Sequence, residues 1–149
     1  MTSREIALLN PAQDPQATVA CLVRLPDTSP GSRPAIEVVE RAVSEVLQPC
    51  DTRWLAVCVA SMLSSYYQRD EPQPVRDKIM ADWLDALRPY PAWAVDSACR
   101  WWRSEDNPDR RRRPLEGDIV ARVRRELRGV HLVPQLLRAQ SASTGERPA

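Results

Sequence analysis

A chain of 149 residues is long enough for one domain, or for one domain with tails. With 43% apolar and 28% charged residues, fourteen prolines, four glycines, five tryptophans and no phenylalanine, its composition excludes collagen-like, mucin-like and wholly disordered chains. A net charge of +1 excludes an overall polybasic protein, although all but one of the basic residues are arginine, the exception being Lys78.

Residues 1–33 hold Pro11, Pro15, Pro26 and Pro30, with Pro34 next, and a Ser29-Pro30-Gly31-Ser32 stretch. Proline at this density interrupts helices and sheet ladders. The segment is predicted to be a flexible arm, with residues 18–23 as a short apolar piece that lies on the body. From Pro34 the pattern becomes helical. Ile36, Val39, Val43, Val46 and Leu47 recur at spacings of three and four, Pro34 suits a first helical turn, and Pro49 ends the element.

Asp51 or Thr52 is a candidate N-cap for a second helix from residue 53 to about residue 68. Leu55, Val59, Met62, Leu63 and Tyr66 share one side of it, and Ala56, Cys58 and Ala60 widen that surface, which predicts the central, most buried helix. Pro74 starts a third helix with a stripe of Ile79, Met80, Trp83, Leu84 and Leu87. Arg88-Pro89-Tyr90-Pro91 breaks it and opens a fourth helix to about residue 105, with Ala94, Val95, Ala98, Trp101 and Trp102 as its apolar side.

Asn107-Pro108-Asp109 signals a turn. A fifth helix is predicted over residues 115–127, with Leu115, Ile119, Val120, Val123 and Leu127 inward and Gly129 as its stop. A short sixth helix over residues 134–139 precedes a frayed tail at 140–149. No strand-length alternation or internal repeat stands out. The expected architecture is all-α: a compact bundle of four to five helices over residues 34–139, with short connections started by proline and a loose N-terminal arm.

No apolar run approaches the ~20 residues needed to span a bilayer, and the N-terminus has no signal-type apolar core, so the chain is read as cytoplasmic with no membrane partner. Cys21, Cys50, Cys58 and Cys99 form no close pair in sequence, and His131 is the single histidine. A metal site or a nucleophilic triad therefore lacks its usual ligand and base spacing, and the cysteines read as small buried apolar residues. There is no Gly-rich nucleotide loop. Asp82, Asp85 and Asp96 fall on outer helix faces. The reading is a non-enzymatic protein with no cofactor and no small-molecule substrate.

Charge is divided unevenly. Residues 1–99 carry nine basic against thirteen acidic side chains, and residues 100–149 carry twelve against seven. Arg110, Arg111, Arg112 and Arg113 precede the fifth helix, whose outer side bears Arg122, Arg124 and Arg125, with Arg128 following. Guanidinium forks pair bidentately with phosphate or carboxylate, and a helix N-terminus adds backbone donors. These eight arginines are the candidate surface for nucleic acid or an acidic partner. The competing reading is a solvated face or pairing with the acidic body. Trp83, Trp93, Trp101 and Trp102 fall within twenty residues, and adjacent tryptophans on a helix diverge by about 100°. Tyr90, Trp93, Trp102 and Arg103 are candidates for a protein interface, with simple core packing as the alternative for the tryptophans.

The run Trp83-Leu84-Asp85-Ala86-Leu87-Arg88-Pro89-Tyr90-Pro91-Ala92-Trp93-Ala94-Val95, followed by Arg113-Pro114-Leu115-Glu116-Gly117-Asp118-Ile119, resembles small proteins encoded near replication genes in alphaproteobacterial phages and prophages. The same order of helix, aromatic-proline turn, helix and basic loop is similar to the helical domain of phage replicative-helicase loaders. The resemblance covers roughly residues 64–130. It implies an adaptor that binds a replicative helicase or another replication protein, with single- or double-stranded DNA nearby, and it carries over no catalytic residue. A small nucleic-acid-binding regulator, or a phage inhibitor of a host or defence protein, are the other readings of the same residues.

Overall fold

The computed structural model describes residues 10–145. Among the described residues there are seven α-helices and no strand, so the all-α class holds while the helix number exceeds the expected four to five. None of these helices is long and apolar enough to cross a membrane. The chain divides into two compact units: residues 48–126 form one, and the segments before and after it form the other.

The discontinuous unit begins with α1 (Pro15–Leu22). Pro15 occupies the first turn, where its missing N–H costs nothing, and the Asp14 carboxylate accepts from the Ala17 N–H at 3.0 Å. Val19 is 7% exposed and Leu22 fully buried. Short 3-10 turns at Leu25–Asp27 and Pro30–Ser32 follow, and Leu25 is 2% exposed. Arg33 staples this proline-rich stretch by donating from Nε to the Thr28 carbonyl and from Nη2 to the Pro26 carbonyl, both at 3.0 Å. The expected loose arm is thus corrected for its described part: enough apolar side chains are spaced between the prolines to bury a helix. Its residues 1–9 lie outside the described residues.

Helix α2 (Ile36–Val46) packs on α1 and buries Val39, Ala42, Val43 and Val46. Pro34 stands before the N-cap Ala35 and so lies just outside the helix it was expected to start. At the other end of the chain, Gly129 takes φ 71, a left-handed conformation open to glycine at little cost. The turn Val130–Leu132 and helix α7 (Val133–Gly145) follow, burying Val130, Val133, Pro134 and Leu137. Helix α7 packs on α2 and on the Leu25–Asp27 turn. Arg138 pairs with Glu40, and Gln140 donates to the Pro26 carbonyl at 3.2 Å. Residues 140–145, expected in the frayed tail, are helical, and residues 146–149 lie outside the described residues.

The middle unit holds α3 (Thr52–Ser64), α4 (Gln73–Leu87), α5 (Ala92–Arg103) and α6 (Glu116–Glu126). Helix α4 packs on α3 and α6, and α5 packs on α6 and α3. Asp51 caps α3 by accepting from the Trp54 N–H at 3.0 Å. Helix α3 stops at Ser64 and is one-sided: Leu55, Val59, Met62 and Leu63 are buried, but Val57 is 70% exposed. It is therefore not the enclosed central helix that its composition suggested. Trp83 and Leu87 on α4, five residues of α5 and Ile119 and Val123 on α6 complete the core. Leu115, expected inside, is 64% exposed because α6 begins one residue after it.

Candidate interaction surface

The segment from Ser104 to Leu115 joins α5 to α6 and carries the arginine run. It has no regular structure, so its backbone polar groups need other partners. Asn107, 1% exposed, supplies one and closes the end of α5: its side-chain oxygen accepts from the Asp109 N–H at 3.0 Å, and its amide donates to the Trp102 carbonyl at 2.8 Å. The Tyr66 hydroxyl donates to the Arg110 carbonyl at 2.9 Å, and the Trp102 indole N–H donates to the Arg112 carbonyl at 3.1 Å. Burial pushes the Tyr66 phenol above its ordinary range, which keeps the proton it donates.

At the start of α6, one Asp118 carboxylate oxygen accepts from the Leu115 N–H at 2.8 Å and from Arg112 Nη1 at 3.0 Å. Burial works to raise the Asp118 pKa, but the Arg112 hydrogen bond and the Leu115 N–H outweigh it and hold the carboxyl below its usual range. The same Arg112 guanidinium lies 5.0 Å over the Trp102 ring. Arg122 repeats the arrangement one helix away, 4.3 Å over the Trp101 ring and 3.1 Å from Glu126. A guanidinium on an aromatic face contributes about 0.5–2 kcal/mol, more as water is excluded.

The two adjacent tryptophans thus divide their work. Trp102, at 4% exposed, is a core residue that cannot serve as the contact expected of it. Trp101, half-buried, sits edge-on to Trp102 at 6.3 Å between ring centres and carries Arg122. Tyr90 and Trp93 are half-buried and Arg103 is exposed. The Tyr90 hydroxyl accepts from Arg124 Nε at 3.0 Å, so the aromatic-proline turn and α6 are tied together. Asn107 and Tyr66 were not among the site residues expected from the sequence, and Trp101 was named only as a member of the tryptophan cluster. Only Asn107 carried a legible signal, in its Asn-Pro-Asp turn.

Of the eight candidate arginines, Arg112 and Arg122 are committed to carboxylates. Arg110, Arg111, Arg113, Arg124 and Arg125 lie in the same unit with no carboxylate partner among the described residues. Arg111, Arg124 and Arg125 are exposed. Arg128 belongs to the discontinuous unit. The outward carboxylates Asp82, Asp85 and Asp96 pair along their own helix or its end with Lys78, Arg88 and Arg100. They do not neutralise the arginine run. Such exposed pairs contribute about 0–1 kcal/mol each.

The cysteines differ in environment. Cys50 and Cys99 are buried, while Cys21 and Cys58 are half-buried. Cys58 of α3 and Cys99 of α5 share a thiol hydrogen bond, which lowers the Cys58 pKa and raises that of Cys99. Comparison of the chain with protein-family models, curated proteins and solved structures finds no match in any of the three.

Proposed function

We propose that the chain is a non-enzymatic helical adaptor of the replicative-helicase-loader kind, which works by protein contact and presents a basic loop and helix to nucleic acid. The observation that carries this reading is the fixed arginine segment. Asn107, Tyr66, Trp102 and Asp118 each hold its backbone by a side-chain hydrogen bond. Arg111, Arg124 and Arg125 meanwhile remain exposed without a carboxylate. A segment ordered in advance loses little entropy on binding a polyanion. Phosphate contact is chemistry that guanidinium forks without a carboxylate partner perform well. The aromatic-proline turn, part of the stretch that resembles the loaders, is tied to the same helix through Tyr90 and Arg124.

Two measurements test it. Affinity for single- and double-stranded oligonucleotides is expected to fall with salt by about 0.7–0.9 log units per log unit for each phosphate contacted. Arg111→Ala and Arg125→Ala are expected to flatten that slope by about one contact each. Co-purification with a replicative hexameric helicase is expected from the intact chain. Salt-dependent DNA binding with no helicase association would favour a small nucleic-acid-binding regulator instead. Neither interaction at low salt would overturn the proposal.

A further inference from the structure

The middle unit holds a second feature, which Arg111, Arg124 and Arg125 do not line. A cavity of about 150 Å³ opens between the end of α3, the start of α4 and the arginine run. Three segments each contribute one arginine to its lining: Arg69 from the α3–α4 connection, Arg76 from the first turns of α4, and Arg113 from the run. Glu71 is the one carboxylate in the lining. None of the three arginines has an ion-pair partner among the described residues. The floor is apolar, built on Leu63, 5% exposed, and the half-buried Ile79.

Three arginines against one carboxylate give the lining a positive excess that an anion would relieve. The start of α4 adds to it. Pro72 offers no side-chain cap, so the positive end of the helix dipole is left without an acidic group bonded to it. Size and floor then narrow the occupant. Small-molecule sites run to roughly 300–1,000 Å³, and this cavity, at about 150 Å³, is smaller and suits side chains of a peptide better than a whole ligand. A sugar-phosphate backbone would satisfy the guanidinium groups and leave Leu63 and Ile79 facing a polar ligand. A peptide carboxylate beside an apolar side chain satisfies both.

We propose that this cavity is a docking site for an acidic peptide segment of a protein partner, in which an Asp or Glu pairs with Arg69, Arg76 and Arg113 while a neighbouring Leu-sized side chain fills the apolar floor. None of Arg111, Arg124 and Arg125 lines the cavity, so the site stands whether or not those residues meet nucleic acid.

The test is selection of a random-peptide display library on the full chain, followed by fluorescence anisotropy with a labelled peptide of the winning consensus. The expected consensus sets an acid within one or two residues of Leu, Ile, Met or Phe. Arg76→Glu and Arg69→Glu, both at exposed positions, are expected to weaken that peptide about tenfold or more each. Arg69→Gln and Arg76→Gln are the milder variants should a charge reversal disturb folding, which far-UV circular dichroism reports. The amide version of the peptide should lose affinity in the same way, and Arg111→Ala should leave binding unchanged. Failure to enrich any peptide, a consensus without an acid, or binding indifferent to Arg69 and Arg76 would overturn the proposal. So would a single-stranded oligonucleotide that competes for the cavity and is lost with the same arginines, which would make phosphate its ligand.

Discussion

The two units solve the same helical problem by different means. The discontinuous unit has an aliphatic core: Val19, Leu22, Leu25, Val39, Val43, Val46, Val130, Val133 and Leu137 are all buried, and no tryptophan belongs to it. Its order comes from area removed from water by segments nearly eighty residues apart, with Arg33 and the Glu40–Arg138 pair trimming the surface. The middle unit holds all five tryptophans and uses the ring faces of Trp101 and Trp102 and the indole N–H of Trp102. Trp102 donates a hydrogen bond and carries a guanidinium, and Trp101 carries another. Aliphatic burial is non-directional and builds a scaffold. Directional contacts are what fix an irregular loop in one shape, and here that loop bears the charge.

The largest effect that would break this contrast is in the middle unit. Trp83 is 2% exposed, so Trp83→Ala is expected to cost about 3–5 kcal/mol by leaving a cavity, read as a shifted urea midpoint. An unchanged midpoint would place Trp83 outside the core. In the discontinuous unit, Leu22→Ala is expected to cost about 2–5 kcal/mol, because Leu22 is fully buried. A free arm would give no change, so this variant separates a packed α1 from a loose one.

A smaller cost, about 1–3 kcal/mol, is expected from Asn107→Ala, which strips two backbone groups of their partner at a buried position. If the loop depends on directional contacts, hydrogen exchange of the Asp109 amide rises in this variant. Exchange unchanged from the parent would show that Asn107 does not hold the turn.

The smallest effect carries a pH signature. The folded Asp118 carboxyl titrates below its unfolded value, near 3.9. Its stabilisation is therefore present above that value and is lost as pH falls through the lowered one. Asp118→Asn is expected to cost about 0.5–1 kcal/mol at neutral pH. The gap from the parent should close in acid, and a gap constant down to pH ~2 would remove the carboxylate from the explanation.

Much of the middle unit was legible because its signals are local. The Asp51 cap, the Pro74 start, the Pro91 boundary and the Trp83 and Leu87 stripe need only neighbours within a turn or two. The candidate site was half legible. A run of arginines announces charge, yet which guanidinium is free depends on contacts such as Trp101 with Arg122 and Asp118 with Arg112. Trp101 and Trp102 exchange the roles of surface and core over a rotation of one residue, which a stripe drawn at helical spacing does not resolve.

Periodicity and punctuation by themselves determined that this is an all-helical chain, where most of its helices begin, and that its positive charge gathers late. Only the tertiary structure decided that the proline-rich start and the last helix build one unit together, that Trp102 is core, and that Arg69, Arg76 and Arg113 line one cavity. Helix propensity and caps act over a few residues and are written in order along the chain. Pairing between distant segments is chosen by complementary apolar faces, and many faces of similar pattern look alike until packing selects among them.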